Sequence, residues 1–123
     1  MTKVYISDTN IWFDLRNAGL LDEIFQLPIT LCSTDFVLNE LNDLPHDRLI
    51  AQGLIVDTLD EAAVIELFTL KLEHGNSSLA DVSCYYLAQR TGHPLLTGDG
   101  KLRKQATKDG IQVYGVLWLL DQL

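Results

Sequence analysis

Short runs of β-favouring residues alternate with helical stretches along the whole chain, and this alternation restricts it to folds built on a parallel sheet. Residues 4–7, 29–32, 54–56, 95–97 and 111–114 read as strands, being rich in Val, Ile, Leu and Tyr. Helical spacing is expected over 11–15, 20–25, 36–41, 46–52, 61–73, 78–91, 101–108 and 116–123. The breaks fall at residues that stop helices: Gly19, Pro28, Pro45, Gly53, Gly75, Gly92 with Pro94, and Gly110. The segment 61–73 is the clearest amphipathic helix, with Ala62, Ile65, Leu67, Phe68 and Leu72 expected to face inward. Strands that alternate with helices imply an α/β fold whose mostly parallel sheet is covered on both faces.

At 123 residues one domain, 1–123, is expected, and an apolar share of 47% supplies a core. Cys32 and Cys84 lack metal-ligand or redox-motif spacing; a disulfide stays open, with buried thiols the favoured reading. The opening MTKVYISDTN has no apolar signal region, and no run approaches the ~20 apolar residues that span a bilayer. A soluble, cytoplasmic protein without membrane association is the expectation. The net charge of −8 is unusual for a nucleic-acid binder, yet four of the nine basic residues crowd into Lys101, Arg103, Lys104 and Lys108. A carboxylate site loaded with divalent cations also carries less negative charge than the formal count implies.

Four acids stand out by context. Asp8 follows the strand-like VYIS, and Asp99 follows LLTG. Ligands in open parallel sheets bind beyond the carboxyl ends of strands, so two strand-end acids can meet despite their separation in sequence. Each also has an ordinary explanation as a turn or cap residue. Asp81 completes Ser78-x-x-Asp81, a capping box. Glu40, on a short helix, reads equally well as a solvated acid. Taken singly, these are weak signals; their order along the chain is stronger.

Asp8-Thr9-Asn10 after the first strand, Leu38-Asn39-Glu40-Leu41, Ser78-Leu79-Ala80-Asp81 and Leu96-Thr97-Gly98-Asp99, continuing into Lys101-Leu102-Arg103 and Gly110-Ile111, together resemble the PIN-domain family. The resemblance spans nearly the whole chain. It implies a three-layer α/β/α sandwich around a sheet of about five strands. It also implies Mg²⁺- or Mn²⁺-dependent endonucleolytic cleavage of RNA, with Asp8, Glu40, Asp81 and Asp99 as metal-site acids and Asn10 and Thr97 as hydrogen-bonding support. Many compact prokaryotic members are VapC-type toxins of toxin–antitoxin pairs, so an antitoxin partner is a further implication. Physical reasoning agrees on the metal: crowded carboxylates need counter-charge, and hard divalent cations supply it while retaining waters.

The match is incomplete. Some members carry another acidic or polar residue shortly after the last Asp, where this chain has Gly100, Lys101 and Leu102, which puts a second metal in doubt. Asp14 and Asp35 are read as non-ligands, and His46, His74 and His93 as solvated and noncatalytic. Lys101, Arg103 and Lys104 either position RNA phosphates or form a solvated helix face. Trp12, Phe13, Leu20, Leu21, Ile24 and Phe25 make the N-terminal helices apolar; the core is expected to claim about half, leaving the rest for an antitoxin groove or a homodimer. A haloacid-dehalogenase-type phosphatase needs an Asp where Asn10 stands, a receiver domain needs an early acidic pair, and GDGK at 98–101 lacks P-loop spacing. The alternative is a PIN-like module that binds RNA or protein without cutting.

Overall fold

The computed structural model describes residues 3–123, so Met1 and Thr2 of the opening segment lie outside the described residues. Five strands, β1 (Lys3–Ser7), β2 (Ile29–Thr34), β3 (Ile55–Asp57), β4 (Leu95–Leu96) and β5 (Val113–Tyr114), form one all-parallel sheet in the order β3-β2-β1-β4-β5. Seven α-helices join them: α1 (Thr9–Asn17), α2 (Asp35–Glu40), α3 (His46–Ala51), α4 (Glu61–Glu73), α5 (Leu79–Thr91), α6 (Gly100–Lys108) and α7 (Val116–Asp121). Parallel neighbours require such crossovers. Consecutive β1 residues Tyr5, Ile6 and Ser7 are all buried, which is possible only when both faces of the strand are covered. The expected α/β/α layering is therefore present.

Helix α5 is the centre of one layer. Nine consecutive residues, Ala80 to Ala88, are buried, because it is held between the sheet and helices α2 and α4. Polar side chains on its first turn are thereby drawn inward. On β1, Tyr5 packs against Trp118 of α7, ring centres 5.2 Å apart, and Trp118 stacks on Tyr114 at 4.2 Å. Cys32 and Cys84 are free and buried. Among the described residues no helix is long and apolar enough to cross a membrane.

Two expectations need correction. Residues 20–25 do not form an α-helix; only a 3-10 turn, Glu23–Gln26, is present. Gly19, at φ +70°, and Pro28 leave too few residues between them for a stable helical run. On α4 the inward stripe runs through Ala63, Leu67 and Leu70, whereas Ile65, Phe68 and Leu72 are 64%, 52% and 85% exposed. Of the predicted inward set only Leu67 is buried, while the bounds are as expected: the helix ends at Glu73, with His74 as the cap and Gly75 just past it. In the N-terminal segment Trp12 and Ile24 are wholly buried, while Phe13, Leu20, Leu21 and Phe25 are half-buried against the core. The large apolar side chains left to water lie chiefly elsewhere, above all on α4.

Candidate functional site

The sheet order reverses at β1: β2 and β3 lie to one side, β4 and β5 to the other. Such a switch point opens a crevice at the carboxyl ends of the two central strands. Ser7 of β1 is paired with Leu96 of β4, and the Asp8 N–H donates to the Leu96 carbonyl at 3.0 Å. Asp8 and the Thr97–Asp99 turn are thus brought together by the sheet itself.

Asp8 is fully buried and does two jobs. Its Oδ1 accepts from the Ile11 N–H at 3.2 Å, capping α1. Its Oδ2 accepts from the Thr97 hydroxyl at 2.5 Å and the Gly98 N–H at 3.1 Å. Burial pushes its pKa up, the three hydrogen bonds oppose that rise, and the Asp99 charge adds to it. Asp99 caps α6 through Oδ1, which accepts from the Lys101 and Leu102 N–H groups, and its own N–H donates to Thr97 Oγ1 at 3.0 Å. Thr97 therefore joins the two acids. Capping and site formation are compatible here, since each cap uses only one carboxylate oxygen.

Asp81 does not complete the capping box. Ser78 Oγ accepts from the Asp81 N–H at 3.0 Å, but among the described residues there is no reciprocal bond to the Ser78 backbone and Asp81 Oδ1 is buried without a partner. Its pKa is pushed up to about 7, first by burial and then by the charges of Asp8, Asp99 and Glu40. Glu40, exposed at the end of α2, accepts from the Thr9 hydroxyl at 3.1 Å. The charges of Asp8, Asp99 and Glu40 all reach Asp81, and that of Asp99 reaches Asp8, so the four carboxylates border one crevice. As they stand, however, no three acidic, His or Cys side chains among the described residues enclose a single ion. Asp8, Asp99 and Glu40 each accept from a donor of the protein. The donor chemistry still fits a hard divalent cation: four carboxylates, one with a buried and unpartnered oxygen.

Thr9 was not singled out from the sequence; Asn10 was. Thr9 points inward to Glu40, whereas Asn10 is exposed and makes no hydrogen bond to the acids among the described residues. One step along a helix turns a side chain by roughly 100°, so neighbours in Asp8-Thr9-Asn10 cannot share a direction. A polar network that residue patterning does not reveal adjoins Ser7, the residue before Asp8. The Trp12 indole N–H donates to Ser33 Oγ at 2.9 Å, and Ser33 Oγ to the Ser7 carbonyl at 2.7 Å. The Cys84 thiol also meets that carbonyl, and burial raises its pKa well above the ordinary thiol value.

Lys101, Arg103 and Lys104 are exposed on α6. Arg103 borders a groove next to Thr97 and Gly98, while Lys104 lies on the side shared with Thr107 and Lys108. The histidines stay apart from the acids: His46 hydrogen-bonds the Leu41 carbonyl, and His74 packs edge-on against Tyr85. Asp35 accepts from the Leu59 N–H and is no part of the site.

A family model described as PIN domain matches residues 4–123. No curated protein matches the chain. Among solved structures, a PilT N-terminus domain protein from the hyperthermophilic archaeon Sulfolobus solfataricus P2 aligns with TM-score 0.66 and 16% identity, over 99% of this chain and 94% of that one. A protein from Pyrobaculum aerophilum aligns with TM-score 0.63 and 17% identity, over 99% and 98%. VapBC2 from Rickettsia felis, bound to a DNA fragment from its promoter, aligns with TM-score 0.56 and 15% identity, over 91% and 98%. At these identities the likeness is one of fold.

Proposed function

Since the chain belongs to the PIN-domain family, we propose that it is a divalent-metal-dependent endoribonuclease that hydrolyses RNA phosphodiester bonds at the Asp8, Glu40, Asp81 and Asp99 crevice. One observation carries the reading: the buried Asp81 Oδ1, which has no partner among the described residues and belongs to a carboxyl group that feels the charges of three further acids. An unpaired buried carboxylate oxygen is costly unless something outside the protein satisfies it. Mg²⁺ or Mn²⁺ would be held by these four acids, and when bound it supplies counter-charge to the phosphodiester and acidifies water.

The protein's own groups do the positioning. The Thr97 hydroxyl and Gly98 N–H hold Asp8 in one orientation, and the Thr9 hydroxyl holds Glu40. Arg103, together with Lys101 and Lys104 on the same helix, offers cationic contacts to phosphates beside the crevice. An antitoxin-type protein partner is part of the proposal, by analogy with the Rickettsia felis VapBC2 structure. A homodimer is proposed as well, through the exposed Ile65, Phe68 and Leu72 face of α4.

A second reading is a non-catalytic RNA- or protein-binding module, favoured by the failure of the four side chains to enclose an ion as they stand. The deciding experiment incubates the purified chain with a generic single-stranded RNA in Mn²⁺, in Mg²⁺ and in EDTA. Cleavage in metal that EDTA abolishes is the expected result. Intact RNA in every condition leaves the binding module.

A further inference from the structure

A groove of about 390 Å³ runs beside the carboxylates, walled by Ile11 and Asp14 of α1, Arg103 of α6, and Leu117 and Trp118 of α7. It is continuous with the crevice, because Thr97 and Gly98, which donate to Asp8 Oδ2, also line it. Asp14 and Arg103 border it from different helices, and neither side chain forms an ion pair among the described residues. Arg103 has room because Gly115 lacks a side chain: a Cβ there would meet Nη1 at 3.1 Å. Leu117 is 76% exposed, an apolar side chain left to water at the edge of the site. Trp118 is braced by Tyr114 and Tyr5.

This combination suits a nucleobase still attached to its phosphate. Apolar and aromatic walls take the ring, a carboxylate accepts from its N–H edge, and a guanidinium meets the phosphate or stacks. A carboxylate accepts only, and its two oxygens match two adjacent donors. Guanine presents such a pair, N1–H and the 2-amino group. Adenine and cytosine set one amino donor beside a ring-nitrogen acceptor that would repel the carboxylate, and uracil has a single N–H between carbonyls.

We propose that this groove is a base-specific subsite that takes a guanine next to the scissile phosphodiester, with Asp14 reading its N1–H and 2-amino group. The inference rests on the ribonuclease reading above and extends it to substrate selection. Asp14 is exposed on α1, so replacing it leaves the core untouched.

The test compares the parent and Asp14→Ala on short single-stranded RNAs identical except for guanine, inosine or adenine, scanned through each position. Cleavage in Mn²⁺ and binding in EDTA are measured separately. At one position the parent should favour guanine over adenine by roughly ten- to a hundredfold. Inosine, lacking the 2-amino group, should fall between them, and in Asp14→Ala the ratio should approach one. Cleavage without any base preference, or a guanine preference that survives Asp14→Ala, overturns the subsite and leaves the nuclease standing. Guanine-selective binding that Asp14→Ala removes, with no cleavage in any metal, keeps the subsite and overturns the nuclease. Loss in Asp14→Ala of binding to a protein encoded alongside, with RNA binding unchanged, makes the groove a protein contact and overturns the proposal.

Discussion

Thr97 Oγ1 lies between the two strand-end acids, donating to Asp8 Oδ2 at 2.5 Å while accepting from the Asp99 N–H at 3.0 Å. A single hydroxyl thus fixes the orientation of one carboxylate and the backbone of the other. Thr97→Val keeps the shape and removes the hydroxyl. It should destabilise the fold by about 1–3 kcal/mol, since a buried carboxylate loses a donor and an N–H loses its acceptor. Thr97→Ser should restore most of the loss. Urea unfolding of the three proteins in EDTA measures this, and equal midpoints would show that the bond contributes nothing.

Asp8→Asn should abolish metal-dependent RNA cleavage while the chain stays folded. The amide oxygen can still cap α1 at the Ile11 N–H, and the Thr97 hydroxyl can turn to accept from the amide N–H. Only the Gly98 N–H then loses its acceptor, at a cost of about 1–3 kcal/mol. The charge that an ion would meet is gone. Circular dichroism checks the fold and an RNA cleavage assay in Mn²⁺ checks the site. A variant that cuts as fast as the parent would falsify the assignment of Asp8.

How far the sequence spoke for the structure depended on whether a feature was local. The strands, most helix bounds and the stops at Gly19, Gly53, Gly92 and Gly110, all with positive φ, follow from local residue preferences. The inward face of α4 did not. EAAVIELFTLKLE carries two apolar stripes, one through Ala63, Leu67 and Leu70 and one through Ile65, Phe68 and Leu72, and helical spacing alone does not say which meets the core. The meeting of Asp8 with Asp99 depends on β1 lying beside β4; their places at strand ends allowed it and the family resemblance implied a shared site, but neither supplied the strand order. Thr9 and the Trp12–Ser33–Ser7 network escaped notice because hydroxyl residues gain meaning only from what they face.

The exposed α4 stripe leads to a prediction about assembly. If two copies bury Ile65, Phe68 and Leu72 against each other, the chain should sediment as a dimer at protein concentrations of roughly tens of micromolar, an ordinary affinity range for such contacts. Phe68→Glu should give a monomer with unchanged helical content, since Phe68 is half exposed and outside the core. A parent that sediments as a monomer throughout that range removes the homodimer.

Asp81 gives the sharpest test, because its pKa and its missing partner point the same way. A carboxyl whose pKa rises from 3.8 unfolded to about 7 folded binds more protons in the native state between those values. Its contribution is therefore favourable below about pH 4 and is lost as pH climbs through 7. In EDTA the parent should lose stability across that window relative to Asp81→Asn, which has no charge to bury. Above pH 7 the variant should match or exceed the parent in melting temperature. The Ser78 cap survives the substitution, because Ser78 Oγ accepts from the backbone N–H of residue 81 and not from its side chain. Adding Mn²⁺ should raise the melting temperature of the parent and raise the variant much less, since a ligand stabilises the native state only as far as its affinity allows. Thermal melts of both proteins from pH 4 to 8, with EDTA and with Mn²⁺, contain the whole comparison. A variant less stable than the parent in EDTA at pH 8, with an undiminished response to Mn²⁺, would make Asp81 a helix-start residue whose charge favours the N-terminus by about 0.3–1 kcal/mol. The proposed metal site would then have three carboxylates rather than four.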